Sequence, residues 1–64
     1  MKSYSSQEVI KMLKQDGWKL KNVVGDHYQF VHPEKKGKVT IPHKRKGLSI
    51  FELKSIEKQS GLKF

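Results

Sequence analysis

Hydrophobic and polar positions recur with two different periods along this chain. Near both ends, apolar residues return every three or four positions, as one face of a helix requires. The central stretch instead alternates apolar and polar residues, which is typical of half-buried strands. The pattern predicts a helix, three strands and a second helix, forming one domain over residues 1–64.

Local signals mark the ends of both predicted helices. A serine followed three residues later by a glutamate indicates a capping box, in which the two side chains satisfy the first free amides of a helix. The two pairs are Ser5 with Glu8 and Ser49 with Glu52. Gly17 and Gly61 are suited to the left-handed conformation that ends a helix. We therefore expect a first helix over residues 6–16 and a second between Ser49 and Gly61, with Ile50 or Phe51 joining its apolar stripe.

Turn residues divide the central stretch into three strands. Gly25-Asp26 predicts a hairpin turn between strands over residues 18–23 and 27–32, and residues 33–37 form a second turn. The third strand covers residues 38–41, after which Pro42 is expected to stop ladder pairing. An antiparallel sheet with both helices on one face follows, an α+β fold. The residues expected in its core are Trp18, Leu20, Tyr28, Phe30, Val39, Ile41, Ile10, Leu13, Leu53 and Ile56.

The charge balance indicates the class of partner that this chain binds. Fourteen Lys and Arg residues against six Asp and Glu give a net charge of +8. Such a field attracts polyanions, so nucleic acid is the first partner it predicts, and an anionic membrane surface or an acidic protein also fits. The chain has no cysteine, no signal-peptide core and no apolar run of about 20 residues. We expect a cytoplasmic protein without disulfides that does not enter the membrane.

The sheet face without helices is the candidate site. Alternation along the strands places His27 on this face, at the start of the second strand. The three histidines lack the spacing of a metal site, and neither a nucleophile motif nor a glycine-rich phosphate loop is present, so no metal or small-molecule cofactor is expected. The residues predicted to contact RNA are Lys19, Lys21, Gly25, Gln29, His43, Lys44, Arg45 and Lys46.

An imidazole on a basic surface is sufficient for one reaction, the cleavage of RNA by its own 2′-hydroxyl. Histidine can take the hydroxyl proton, and lysines can stabilise the negative charge that develops on the phosphoryl oxygens. Three interpretations stay open on the residues alone. The chain is an RNA-cleaving enzyme, a non-catalytic module that binds double-stranded RNA through the same face, or a small basic protein that binds DNA or the ribosome. In the last two, His27 is an ordinary strand residue.

Five stretches, taken in order, resemble the HicA toxins of HicA–HicB toxin–antitoxin pairs. They are Asp16-Gly17-Trp18, Gly25-Asp26-His27-Tyr28-Gln29-Phe30, the turn His32-Pro33, Val39-Thr40-Ile41-Pro42-His43 and residues 53–62. The resemblance implies a fold similar to double-stranded-RNA-binding domains and a ribosome-independent, metal-independent endoribonuclease that cleaves mRNA. It also implies a HicB-type antitoxin that covers the active face. The Gly-Ser-His motif of the family matches Gly25-Asp26-His27, which makes His27 the catalytic residue and puts Asp26 where serine is usual.

Overall fold

Two helices and a three-stranded antiparallel sheet make up the part of the chain that the computed structural model describes, residues 3–42 and 45–64. The strands lie in the order β1-β2-β3, so β1 and β3 are the edges of the sheet. The predicted α+β fold, with the order α-β-β-β-α, is confirmed. The elements are α1 (Ser6–Gln15), β1 (Lys19–Val24), β2 (His27–Val31), β3 (Val39–Pro42) and α2 (Ile50–Ser60).

The predicted caps are present at both helices. In each capping box the serine hydroxyl accepts from the glutamate N–H, and the glutamate carboxylate accepts from the serine N–H. The donor–acceptor distances are 2.8–3.2 Å. Gly17 and Gly61 follow the two helices with φ angles of 101° and 79°, which L side chains rarely adopt. Local sequence therefore fixes where both helices begin and end.

Within the described residues, an apolar cluster joins one face of the sheet to both helices. Phe30, Val39 and Ile41 share this face, because side chains alternate along strands. Trp18, just before β1, is also buried in the cluster. The buried apolar residues are Val9, Leu13, Trp18, Phe30, Val39, Ile41, Leu48, Leu53 and Ile56.

Two expectations about burial were wrong. Leu20 points toward the helical side of the sheet, yet 49% of it is exposed, because both helices pack mainly over β3 and leave β1 uncovered. Ile50 and Phe51 do not join the apolar stripe of α2. The helix turns Leu53 and Ile56 inward, which leaves Phe51 81% exposed.

The ladder differs from the prediction in two places. Pro42 pairs with His27 instead of ending the pairing, since β3 is an edge strand and the missing N–H of proline costs no ladder bond on the outer side. In β1 the register shifts between Leu20 and Asn22, which makes Lys21 the extra residue of a β-bulge.

Candidate active site

His27 stands where a tight turn becomes a strand. Gly25 and Asp26 form the two-residue turn between β1 and β2, and Gly25 has the positive φ, 56°, that such turns require. His27 then pairs with Val24 on one side and Pro42 on the other. The backbone is thus held from both sides while the residue stays exposed. No hydrogen bond within the described residues holds the imidazole.

A shallow cavity of about 230 Å³ joins His27 to the polar side of α2. The helix lies along the free edge of β3, where the Thr40 N–H donates to Gln59 Oε1 over 3.1 Å. This contact brings three polar residues of α2 to the rim. The cavity is lined by His27, Thr40, Pro42, Glu52, Ser55, Ile56 and Gln59. His27 therefore faces a built pocket and not only the open sheet.

Glu52 gives this cavity a fixed negative charge. Its Oε1 accepts from the Ser49 N–H at 2.8 Å, and its Oε2 lies 3.5 Å from Arg45 Nη2. The Ser49 backbone hydrogen bond is the main reason that the pKa of Glu52 lies below its usual range, with Arg45 and His27 adding to the effect against an opposing contribution from burial. The carboxylate thus stays ionised beside the imidazole.

The strand residues predicted to contact RNA are spread along the sheet, from the turn beside His27 to the far end of β2. Lys19 lies opposite Val31 and Gln29 lies opposite Thr40, which puts both on the sheet face of His27. Lys21 is exposed at the bulge, and Gly25 is in the turn beside His27 with open space around its Cα. Gln29 therefore lies close to His27 on this face, whereas Lys19 lies about 13 Å away at the other end of β2.

The predicted basic loop is only partly described. His43 and Lys44 lie outside the described residues. Arg45 is anchored to the start of α1, because its N–H donates to Ser6 Oγ and its carbonyl accepts from the Ser6 N–H, both over 2.9 Å. Its side chain pairs with Glu52, and Lys46 is exposed. The loop thus delivers Arg45 to the cavity rim.

His32, five residues further on, has a different role. Its Nδ1 accepts from the N–H groups of Glu34 and Lys35, at 3.0 and 3.2 Å, so this nitrogen carries no proton. Nε2 then carries the proton and donates to the Asp16 carbonyl over 2.8 Å. The ring also meets Trp18 edge-on, with centroids 5.3 Å apart. His32 lies just after β2, one residue beyond the observed end of the strand predicted over residues 27–32, and its ring holds the turn that follows. Among the described residues, no group of three His, Asp or Glu side chains converges as a metal site.

The polar residues of α2 are the part of the site that sequence reasoning missed. The capping-box spacing predicts only a cap role for Glu52. Ser55 and Gln59 follow it at helical spacings of three and seven, which place all three on one side of the helix. That spacing was a readable signal, but only the position of α2 against β3 shows that this side faces His27.

These features define a class: a small, strongly basic α+β domain. Its sheet presents an exposed histidine, which lines a cavity together with a carboxylate of the second helix. A family model described as the HicA toxin of bacterial toxin–antitoxin systems matches residues 6–62. The chain belongs to the HicA toxin family. It is therefore a toxin component, for which the family implies a cognate antitoxin. No curated protein shows significant sequence similarity to it. Neither helix in the described ranges is long and apolar enough to cross a bilayer.

Proposed function

We propose that this toxin is a cytoplasmic endoribonuclease that cleaves mRNA without a metal, and that His27 is its general acid and base. The observation that carries the proposal is the environment of the His27 ring. It is exposed on a rigid strand start, it has no hydrogen bond within the described residues, and it opens into a polar cavity. Catalytic imidazoles need such access to substrate protons.

The chemistry needs only groups that this surface supplies. His27 accepts the proton of a 2′-hydroxyl, and the oxygen attacks the adjacent phosphorus. The bond to the 5′-oxygen breaks, a 2′,3′-cyclic phosphate forms, and the imidazolium returns its proton to the leaving oxygen. Proton transfer of this kind contributes about 10²–10⁴-fold to a rate. Glu52, ionised on the cavity rim, stabilises the imidazolium that exists between the two transfers.

The exposed cations of this domain suit an RNA strand. Lys19 and Gln29 lie on the same sheet face as His27, Lys21 and Lys46 are exposed, and Arg45 pairs with Glu52 of the cavity. Cations dominate affinity for a phosphate backbone and also stabilise charge on the reacting phosphate. We propose that the cognate antitoxin is of the HicB type and neutralises the toxin by covering this face.

The test is cleavage of a labelled single-stranded RNA in EDTA by the wild-type protein and by His27→Ala. We expect the variant to lose about 10²–10⁴-fold in rate while its melting temperature stays unchanged. A substrate with 2′-deoxyribose throughout should resist the wild-type protein, because the attacking oxygen is missing.

The remaining outcomes of this assay are equally informative. Equal cleavage by both proteins would place the chemistry on another residue. If both proteins bind the RNA and neither cleaves it, the domain is an RNA-binding module and the proposed activity is wrong.

A further inference from the structure

A second and larger concavity lies on the helical side of the sheet, where β1 is left uncovered. It has a volume of about 700 Å³ and runs between α1 and the sheet. Its floor is apolar and consists of Ile10, Leu20, Tyr28 and Phe30, and its rim is formed by Gln7, Lys11, Lys14 and Gln15. His27 is not part of it, since Tyr28 and His27 are neighbours on β2 and point to opposite faces.

The bulge in β1 extends this apolar floor along the strand. Leu20 pairs with Phe30 and Val23 pairs with Tyr28, so the extra residue Lys21 puts Leu20 and Val23 on the same face although they are three apart. In a regular strand they would face opposite sides. The two side chains are 49% and 52% exposed. An exposed apolar stripe of this kind marks an interaction site more often than a scattered surface residue does.

The rim of the groove carries charge of one sign. Lys11 and Lys14 lie one turn apart on α1, both exposed, and neither forms an ion pair within the described residues. No acidic side chain is among the described residues that line the groove. A ligand that fits must present apolar side chains flanked by carboxylates, because complementary charge at a rim guides association and fixes orientation.

We infer that this groove docks an acidic amphipathic helix of a protein partner. A helix satisfies its own backbone hydrogen bonds, so it can lie in an apolar groove and bury one face. Addition of a strand to the free edge of β1 is disfavoured, because the bulge at Lys21 interrupts that edge. A second copy of this chain is disfavoured by charge, since each copy carries +8. The inference goes beyond the proposed ribonuclease activity and does not depend on it.

The experiment uses a labelled synthetic helix with leucines at every third or fourth position and glutamates between them. Fluorescence anisotropy measures its affinity for the full chain, and amide chemical shifts map where it binds. We expect saturable binding below about 100 μM, with shifts at Ile10, Leu20 and Phe30. Leu20→Asp should weaken binding at least about tenfold, as the loss of one buried leucine contact predicts. The same variant should still cleave RNA, because the groove lies on the face opposite His27.

A charge exchange provides the matched control. The double variant Lys11→Glu with Lys14→Glu should no longer bind the acidic helix. It should instead bind a version of the helix that has lysines in place of the glutamates. Lys54→Glu with Lys58→Glu changes the net charge equally on exposed positions of α2 that do not line the groove, and it should bind the acidic helix like the wild-type protein.

Three results would overturn the inference. They are shifts that map to the His27 face, equal weakening by both charge-reversed pairs, and no saturation by the acidic helix. A dimer seen in sedimentation and abolished by Leu20→Asp would also overturn it. The occupant of the groove would then be a second copy of this chain and not an acidic helix.

Discussion

The two histidines at the ends of β2 differ in what surrounds their rings. His32 uses both ring nitrogens: Nδ1 accepts two backbone N–H groups and Nε2 donates to the Asp16 carbonyl. His27, which opens the same strand, has its backbone held by two ladder neighbours and its ring left without a hydrogen bond in the described part of the chain. One ring ties the end of α1 to the turn after β2, and the other faces a cavity.

The comparison shows that residue type alone does not identify a site. A neutral imidazole has one donor and one acceptor, and His32 uses both in hydrogen bonds within the fold. Its protonation would place a new N–H against two existing donors. His27 has no such commitment, so gaining or losing a proton there disturbs no contact of the described fold. An imidazole that makes no hydrogen bond within the fold is available for proton transfer to and from a substrate.

Gly17→Ala should have the largest effect on stability, because it disturbs the His32 ring directly. Gly17 has φ of 101°, and a Cβ built there lies 2.8 Å from His32 Nε2. The ring cannot move without losing its bond to Asp16. We expect a loss of about 3 kcal/mol in the free energy of unfolding, at the upper end for a residue forced into a rare backbone conformation. Urea denaturation measures it.

Gly61→Ala is the control for that substitution. Gly61 also follows a helix with positive φ, 79°, but a Cβ there meets nothing within 4 Å. The cost should be near the backbone strain alone, about 1 kcal/mol. Equal losses at both glycines would mean that the His32 ring gives way freely and is not the fixed element described above.

Replacing the histidines themselves comes next in size. His32→Ala leaves the part-buried Asp16 carbonyl without its partner, removes the ring packed against Trp18, and leaves the N–H groups of Glu34 and Lys35 to water. We expect a loss of about 2 kcal/mol, within the range for orphaned polar groups. His27→Ala should stay within about 0.5 kcal/mol of wild type, as exposed positions generally do. Thermal unfolding followed by circular dichroism compares them, and a reversed order would refute the contrast between the two rings.

The sequence predicts the structural features that depend on residues close together in the chain. The capping boxes need only a serine and a glutamate three residues apart, and both are present. Alternation places Phe30, Val39 and Ile41 on the core face because they belong to regular ladder segments. His27 is a candidate because a turn and a strand meet there and the surrounding motif resembles a family.

What the sequence does not predict depends on how elements pack. Leu20 alternates correctly, yet its exposure follows from helices that cover β3 instead of β1. No residue type in β1 marks the bulge at Lys21. Glu52 has a sufficient local explanation as a cap, which conceals its second position beside His27. These features need the placement of α1 and α2, and local patterns do not contain it.

A further small effect is expected at the side chain of Asp16, the residue whose carbonyl accepts from His32 Nε2. Asp16 Oδ2 accepts from Lys35 Nζ at 2.6 Å and from Trp18 Nε1 at 3.1 Å. The Lys35 bond is the main reason that the pKa of Asp16 lies below its ordinary value, and burial partly opposes it. A carboxyl whose pKa is lower folded than unfolded stabilises the fold above the unfolded value, and this contribution disappears as pH falls through the folded one.

Asp16→Asn should therefore lower the melting temperature slightly at pH 7, and the difference from wild type should shrink below about pH 4. Lys35→Met removes the partner from the other side and should give the same convergence. Some acid sensitivity must remain in both variants, because the pKa of Glu52 is lowered as well. A difference that stays constant from neutral to acid pH would show that the ion pair adds nothing. The neighbourhood of His32 would then be held by the bonds of its ring alone, which makes the contrast with His27 sharper.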